Sequence, residues 1–241
     1  MNICVINGLE KKGITYNLRE LFLDEFRTED NEITEFFLPR DLNGFCVGCI
    51  NCFDKGEKTC KDSEQVSKIK NALLKADLIV FAYPTYVFHT PGSVKSLLDH
   101  LGHLWIVHRP EKAMFSKRAV IITQCMGAGT SSAVKDVKDS LKWWGIPYIK
   151  SYKGSIRDVS IVWNDMSSKR REALTEGIQH FAKKIHKIDF SKKPRVSFII
   201  KMKFLICRMM QKNVIEQEIP SIDSEYWKKN GWLDKNRPWK N

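Results

Sequence analysis

The chain has 241 residues, 43% of them hydrophobic, which predicts one α/β domain with an extension rather than two independent cores. No apolar run reaches the ~18 residues that a membrane span needs. Residues 1–150 carry 20 Lys/Arg against 18 Asp/Glu and residues 151–241 carry 20 against 10, so the net charge of +12 belongs mainly to the C-terminal part, and we expect no nucleic-acid partner.

The first residues of the chain indicate a strand rather than a targeting segment. They lack the basic start and the small-residue cleavage site that are typical of a secretory signal. Seven cysteines are present, and four of them lie between residues 46 and 60. Without an export signal, thiolate chemistry explains such crowding better than a disulfide framework does. We therefore expect a cytoplasmic protein.

Strand and helix patterns then alternate along the chain. Apolar runs predict five strands at residues 2–6, 32–38, 77–82, 119–123 and 148–152. Helical spacing of apolar residues predicts helices at residues 15–26, 66–74, 94–104, 132–144 and 168–187. This alternation predicts a doubly wound parallel sheet in the order 2-1-3-4-5. A ligand should then lie over the carboxyl ends of the strands, in the loops after strands one, three and four.

The first of these loops joins a strand to a helix N-terminus, where free N–H groups and the helix dipole favour a phosphate. Its glycines permit tight turns, and a lysine and a threonine add charge and a hydroxyl group. The candidate phosphate-binding residues are Gly8, Lys11, Gly13, Thr15, Tyr16 and Asn17. The alternative is an ordinary turn in which Thr15 caps the helix.

The second and third loops are suited to a planar ring. The second combines aromatic residues with prolines, which makes a rigid flat wall. Its candidate residues are Pro84, Thr85, Tyr86, Val87 and Phe88. Glycines in the third loop allow the backbone to approach the edge of a ligand closely. The candidate residues of that loop are Gln124, Gly127, Ala128 and Gly129.

Two segments resemble a known family. Residues 77–86, Asp-Leu-Ile-Val-Phe-Ala-Tyr-Pro-Thr-Tyr, continue to Pro91-Gly-Ser-Val-Lys-Ser-Leu-Leu-Asp99, and a second segment reads Cys46-Val-Gly-Cys49-Ile-Asn-Cys52. Both are similar to signatures of the NAD(P)H-dependent FMN reductases and iron–sulfur flavoproteins of the flavodoxin superfamily. The resemblance covers residues 1 to about 150. It implies a flavodoxin-like fold, bound FMN and NAD(P)H as the electron donor.

The same resemblance suggests how FMN lies in the three loops. It implies that Pro84, Thr85, Tyr86 and Phe88 lie beside the isoalloxazine and that residues 127–129 lie near its pyrimidine edge. The first loop departs from the family, which usually has Gly-Ser-Pro-Arg where this chain has Gly-Leu-Glu-Lys at residues 8–11. The serine hydroxyl is therefore replaced by the Leu9 side chain.

Four cysteines, Cys46, Cys49, Cys52 and Cys60, follow the second strand. Two-residue spacers allow the thiolates to converge on one centre, and the resemblance implies a [4Fe-4S] cluster. Zinc also accepts four cysteines. The third alternative is a loop that holds no metal, and the sequence leaves the three open.

Histidines add one further candidate. His89 lies in the second loop, where it would steer a substrate or stabilise reduced flavin, although a solvated loop residue is the simpler interpretation. His100 and His103 are one helical turn apart, but no carboxylate or cysteine nearby completes a set of metal ligands, and we interpret them as helix end and loop.

Residues 189–241 form a basic, aromatic-rich extension to a flavodoxin-like domain of residues 1–188. Seven apolar residues at helical spacing predict an amphipathic helix that packs against the domain or a partner subunit. They are Phe198, Ile199, Met202, Leu205, Ile206, Met209 and Met210. The tryptophans that follow also need burial, either on the domain or in a dimer over the flavin edge. We expect a homodimer or higher homo-oligomer, and packing of the helix rather than contact with an anionic membrane surface, which is the alternative use of a basic amphipathic helix.

The sequence therefore predicts an FMN-dependent oxidoreductase that takes electrons from NAD(P)H to a small acceptor such as a flavin, quinone or nitro compound. The first alternative is an iron–sulfur flavoprotein that exchanges electrons with a ferredoxin-like partner. The second is an adaptor on the same scaffold that binds no flavin.

Overall fold

The computed structural model describes residues 1–157 and 162–240. Five strands form one parallel sheet in the order β2-β1-β3-β4-β5. They are β1 (Asn2–Asn7), β2 (Glu32–Phe37), β3 (Leu78–Pro84), β4 (Arg118–Cys125) and β5 (Tyr148–Ser155). The predicted doubly wound order is confirmed, and the strand order reverses between β1 and β3.

Helices connect the strands and continue beyond the sheet. They are α1 (Ile14–Leu23), α2 (Asn51–Asp54), α3 (Ser63–Lys75), α4 (Gly92–His100), α5 (Thr130–Trp143), α6 (Ser168–His186), α7 (Phe198–Glu216) and α8 (Ile222–Lys229). Two predicted helices are shorter than expected, because α1 gives way to a 3-10 turn at Asp24–Phe26 and α4 to one at Gly102–Leu104. The short helix α2, within the cysteine loop, has no counterpart in the prediction.

Alternation along the strands divides the core between the two faces of the sheet. In β1, Cys4 and Ile6 face a cluster with α3, α4 and α5, whereas Ile3 and Val5 face one with α1 and α6. Successive side chains of a strand point to opposite faces, so a strand covered on both must be apolar throughout. All seven residues of β3 are buried for this reason.

The C-terminal extension has an aromatic core of its own. Phe204 stacks on Trp227 at 4.7 Å between ring centroids and meets Trp232 edge-on at 5.7 Å. The Trp227 indole N–H donates to the carbonyl of His108 at 2.7 Å. Trp227 and Trp232 are thus buried within the chain itself and need no partner subunit over a flavin edge.

The position of this core places the extension at one end of the sheet. Ile106 and Phe115, which precede β4, belong to the cluster, and Lys203 of α7 lies 3.6 Å from the ring centroid of Trp143 at the end of α5. These segments lie at the amino ends of the strands. The extension therefore packs at the end opposite to the one where a ligand is expected.

The apolar stripe predicted on α7 does not pack against the domain. All seven of its side chains are exposed, and Phe198 and Met209 are 76% and 70% accessible. The helix docks through a different arc, formed by Ile200, Phe204 and Cys207. Two apolar arcs satisfy the same helical period, and the aromatic core selects the one that contains Phe204.

Within residues 1–157 and 162–240, no helix combines the length and the apolar character that are needed to cross a bilayer.

Substitution of phenylalanine by alanine should reduce stability strongly on the buried face of α7 and only slightly on its exposed face. Phe204→Ala removes a fully buried ring from between Trp227 and Trp232, and we expect it to lower the free energy of unfolding by about 3 to 5 kcal/mol. Phe198→Ala, on the exposed face of the same helix, is the matched control and should cost no more than about 0.5 kcal/mol. Urea unfolding of both variants measures the difference, and equal losses would contradict this packing.

Candidate functional site

A cavity of about 560 Å³ opens at the carboxyl ends of β1, β3 and β4. This is the size range of small-molecule sites, ~300–1,000 Å³. All three predicted loops contribute to its wall. The predicted residues that line it are Lys11, Gly13, Thr15, Tyr16, Pro84, Thr85, Tyr86, Val87, Phe88, Gln124, Gly127 and Ala128.

One end of the cavity is the N-terminus of α1. Gly13 occupies the cap position and no side chain caps the helix, so its first backbone N–H groups have no side-chain partner. Thr15 lies inside the helix, and its hydroxyl accepts from the Gln124 amide at 3.3 Å. Thr15 is therefore not the cap that the simpler interpretation of this loop requires. An uncapped N-terminus beside Lys11 favours an anionic group.

The other end is a tight turn, residues 86–89. Tyr86 and His89 exchange both backbone hydrogen bonds, at 2.8 and 2.9 Å, around Val87 and Phe88. These two central residues have φ angles of 48° and 66°. Asn and Gly are the usual residues of such turns, because a β-branched side chain is strained at positive φ. The turn presents Tyr86, Val87 and Phe88 as exposed apolar surface at the mouth of the cavity.

The glycine loop after β4 rests directly on this turn. Gly129 has a φ of 101°, and a Cβ atom there would lie 2.8 Å from the Phe88 Cα and 3.1 Å from the Thr85 Cγ2. Gly129 therefore allows the second and third loops to touch. Gly127 has no atom within 4 Å of such a position and borders the cavity itself.

Four predicted residues lie outside the wall. Gly8 packs beneath it. A Cβ atom at this position would lie 2.6 Å from the Cβ of Tyr83, so only glycine fits there. The Asn17 amide donates to the Gly13 carbonyl at 2.9 Å and thereby supports the first loop. Gly129 joins two loops, as described above. His89 is exposed, with its Nδ1 3.1 Å from the Asp136 carboxylate, and does not line the cavity.

Sequence reasoning missed several wall residues, which are Asn7, Leu9, Ile14, Ala82, Cys125, Met126 and Ile156. A signal existed for Asn7, because a polar residue ends the apolar strand β1. Its side-chain oxygen accepts from the Nε of Arg19 at 3.2 Å, and the fully buried Arg19 guanidinium pairs with Glu35 at 3.0 Å. The apolar wall residues carry no such signal.

The cysteine loop carries four of the chain's seven cysteines. All four cysteines are free. Burial is the main cause that raises the pKa of Cys52, and the thiols of Cys46, Cys60 and Cys49 act in the same direction. The Arg109 guanidinium acts in the opposite direction. Four free cysteines in one loop are the kind of donor set that an iron–sulfur cluster takes, and Cys46, Cys49, Cys52 and Cys60 would be its ligands.

A second donor set overlaps the first. Ligand atoms of Cys60, Asp62 and His100 lie within 4.8 Å of one another. His100 Nε2 is 3.0 Å from Asp62, and its Nδ1 is 2.8 Å from the Ser96 carbonyl, an arrangement that orients metal-binding histidines. The sequence alone did not complete a ligand set around His100, because Cys60 and Asp62 lie about 40 residues away along the chain. Zinc is thus a second metal that this loop can accommodate.

A network of charged side chains around Arg109 holds the cysteine loop in place. The Arg109 guanidinium donates to the Cys52 carbonyl and to Asp223 of α8. It also lies 3.4 Å from Glu57. Burial opposes ionisation of Glu57, but its own backbone N–H and the Lys70 ammonium lower its pKa to about 2. The loop is therefore held by charges from both the domain and the extension.

Comparison with known proteins identifies the family. The sequence profile of the NADPH-dependent FMN reductases matches residues 1–158. The chain belongs to this family. Over 144 residues it is 28% identical to an iron–sulfur flavoprotein of Clostridioides difficile, covering 57% of this chain and 60% of that protein. It is 29% identical over 111 residues to an NADPH azoreductase of a Bacillus species, covering 46% and 55%.

Solved structures agree with the fold. An azoreductase from Bacillus anthracis superposes with a TM-score of 0.60 at 18% identity, over 78% of this chain and all of that one. The flavodoxin-like fold is therefore confirmed for this FMN reductase family member. The chain spans 48% to 60% of the length of the curated relatives that it matches.

Strain in the turn at the cavity mouth predicts a stabilising substitution. Val87 has a φ of 48° and is 91% exposed, so Val87→Asn removes strain and loses no packing. We expect a gain of about 0.5 to 1 kcal/mol, or a rise in Tm of about 2–4 °C, measured by thermal unfolding of the flavin-free chain. Val87→Thr keeps the branched Cβ and should leave Tm unchanged. A lower Tm for the asparagine variant would show that the turn is not strained.

His103 predicts how stability changes in weak acid. Burial, aided by the charges of Lys70 and Arg109 and opposed by Glu57, lowers its pKa to about 4, against ~6.5 in the unfolded chain. As pH falls from 6.5 towards 4, His103 becomes protonated in the unfolded state but stays neutral in the native state. The free energy of unfolding should therefore decrease by about 1 to 3 kcal/mol. Denaturant unfolding between pH 7 and pH 5 should show the decline in the parent and a flatter profile in His103→Gln. Parallel profiles would exclude His103 as the cause.

Proposed function

We propose that this chain is an FMN-dependent oxidoreductase that takes electrons from NAD(P)H and passes them to a small acceptor such as a flavin, a quinone or a nitro compound. The observation that carries the proposal is the cavity at the carboxyl ends of the sheet. An uncapped helix N-terminus forms one end of it, and the apolar turn at residues 86–89 borders its mouth at the other end. Membership of the NADPH-dependent FMN reductase family supports the same cofactor.

The chemistry of the cavity wall fits FMN along its whole length. The N–H groups of α1, with Lys11 and the Thr15 hydroxyl, would hold the phosphate. Thr85, Tyr86 and Phe88 would hold the ring system, with Gly127 and Ala128 at its edge. When bound, FMN supplies the hydride and single-electron chemistry.

The chain's own task is then to bind, orient and shield the cofactor. The wall is mainly apolar, and its ionisable side chains among the described residues are Lys11, Tyr16, Tyr86 and Cys125. Such a wall excludes water from one side of a flat ring, while the exposed turn leaves the mouth accessible to a nicotinamide or an acceptor. Asn7, held by Arg19, gives the floor of the cavity one fixed polar group.

The cysteine loop supports a second candidate, an iron–sulfur flavoprotein that relays single electrons between a cluster and FMN. The loop carries four free cysteines, Cys46, Cys49, Cys52 and Cys60, the first three separated by two-residue spacers. The C. difficile relative carries the name iron–sulfur flavoprotein. In this function a ferredoxin-like protein, rather than NAD(P)H, would be the main partner.

Anaerobic purification separates these candidates. The absorption spectrum reports flavin and cluster together, iron and zinc analysis identifies the metal, and stopped-flow mixing with NADH or NADPH reports hydride transfer. Rapid bleaching of the flavin supports the oxidoreductase. Sluggish reduction by both nucleotides, with about four iron atoms per chain, supports the carrier. A preparation that stays colourless in excess FMN overturns both and favours an adaptor without flavin.

The first loop predicts how FMN affinity can be raised. Leu9 lines the cavity where the resembling family has serine, so Leu9→Ser places a hydroxyl donor near the phosphate end. We expect FMN to bind about fivefold more tightly, which corresponds to one hydrogen bond of about 1 kcal/mol, with no change for riboflavin. Quenching of flavin fluorescence measures both affinities.

Leu9→Ala is the matched control for this prediction, because it removes the same side chain without adding a donor. If the serine and alanine variants change FMN and riboflavin binding equally, the phosphate does not lie at this end of the cavity.

A further inference from the structure

Helix α7 carries a continuous apolar face that nothing in the described chain covers. Along the helix this face repeats every three or four residues, which places its members in one arc. It consists of Phe198, Ile199, Met202, Leu205, Ile206, Met209 and Met210, all of them exposed. Scattered apolar residues are normal on a protein surface, whereas a contiguous face of this size is typical of an interaction site.

The outward direction of this face is fixed by the packing of the opposite arc. Ile200, Phe204 and Cys207 are buried in the aromatic core with Trp227. On the same arc the Gln211 amide donates to the Val107 carbonyl at 2.6 Å, and its side-chain oxygen accepts from the hydroxyl of Ser224. Rotating the helix to bury the apolar face would break all of these contacts. The exposed face is therefore a stable feature of the folded chain.

Basic side chains border the apolar face on both sides. Lys201, Arg208 and Lys212 are seven and four residues apart and so follow one border, while Lys203 lies on the other border, against Trp143. The only acidic residue of α7 is Glu216, its last residue. An apolar arc between basic borders is the pattern of helices that lie in the interface of an anionic bilayer.

Charge selects the partner that fits this surface. Residues 151–241 carry 20 Lys/Arg against 10 Asp/Glu, so a second copy of the chain would bring two strongly positive surfaces together. Anionic lipids instead offer acyl chains to the apolar arc and phosphate groups to its basic borders. We propose that α7 docks this protein on an anionic membrane surface, lying in the plane of the headgroups. The expectation of no membrane contact rested on packing of this stripe against the domain or a partner subunit, and in the structure the domain does not cover it.

Vesicle sedimentation of the full-length protein tests the proposal. We expect binding to phosphatidylcholine vesicles that contain about a third phosphatidylglycerol, and at least about tenfold weaker binding to phosphatidylcholine alone or in about 0.5 M salt. Ile206→Gln with Met209→Gln should also weaken binding by about tenfold or more, while the flavin content and Tm stay unchanged. Ile206→Leu with Met209→Leu is the control that keeps the face apolar and should retain binding.

A charge pair tests whether the borders of α7, rather than net charge, are responsible. Lys201→Glu with Lys212→Glu should abolish binding, whereas Lys228→Glu with Lys229→Glu, exposed on α8 and identical in net charge, should not. Equal loss in both pairs would overturn the proposal, as would vesicle binding that survives the glutamine variant or the absence of any binding. Light scattering gives the remaining outcome: a dimer that dissociates only in the glutamine variant would mean that a second copy covers this face.

Discussion

The whole arrangement depends on burial of the sheet on both faces. Because Cys4 and Ile6 pack towards α3, α4 and α5 while Ile3 and Val5 pack towards α1 and α6, helices must leave β1 on one side and β3 on the other. The connections that follow β1 and β3 therefore run to opposite faces at the carboxyl ends, and the topology alone creates a crevice between them. The loops only decide what the crevice binds.

A second constraint is the aromatic core of the extension, which does more than bury tryptophans. Asp223 of α8 meets both Arg109 and His108, with its carboxylate 2.7 Å from the Nδ1 of His108. Arg109 in turn donates to the Cys52 carbonyl, and the tilted rings of Phe53 and His108 pack together with their centroids 4.5 Å apart. The geometry of the cysteine loop thus depends on a segment about 170 residues further along the chain. The extension and the cysteine loop are therefore connected directly through Arg109.

Local patterns were sufficient for the sheet, because apolar runs and short connections determine strand order almost by themselves. They also located most of the cavity wall, since a ligand site in this topology must lie in loops after known strands. The features that the sequence did not reveal share one cause, which is contact between distant segments. Gly129 accommodates Phe88 where two loops touch, and His100 meets Asp62 only in the folded chain.

The direction of α7 is a clearer example of the same limit. Its sequence contains two apolar arcs with the same period, so periodicity cannot distinguish the buried arc from the exposed one. The choice is made by Trp227, which stacks on Phe204, and by Trp232, which meets the same ring edge-on. Only the folded tail contains that information.

The cavity and α7 lie at opposite ends of the same strands. β4 alone, with eight residues at ~3.3 Å each, separates them by roughly 25 Å. A chain resting on lipid through α7 would hold its flavin far from the acyl region, facing the aqueous phase. Oxidants dissolved in the bilayer interior would then be poor substrates, and water-soluble molecules arriving near the surface would be the natural ones. Attachment and turnover would also evolve independently, since they share no side chain.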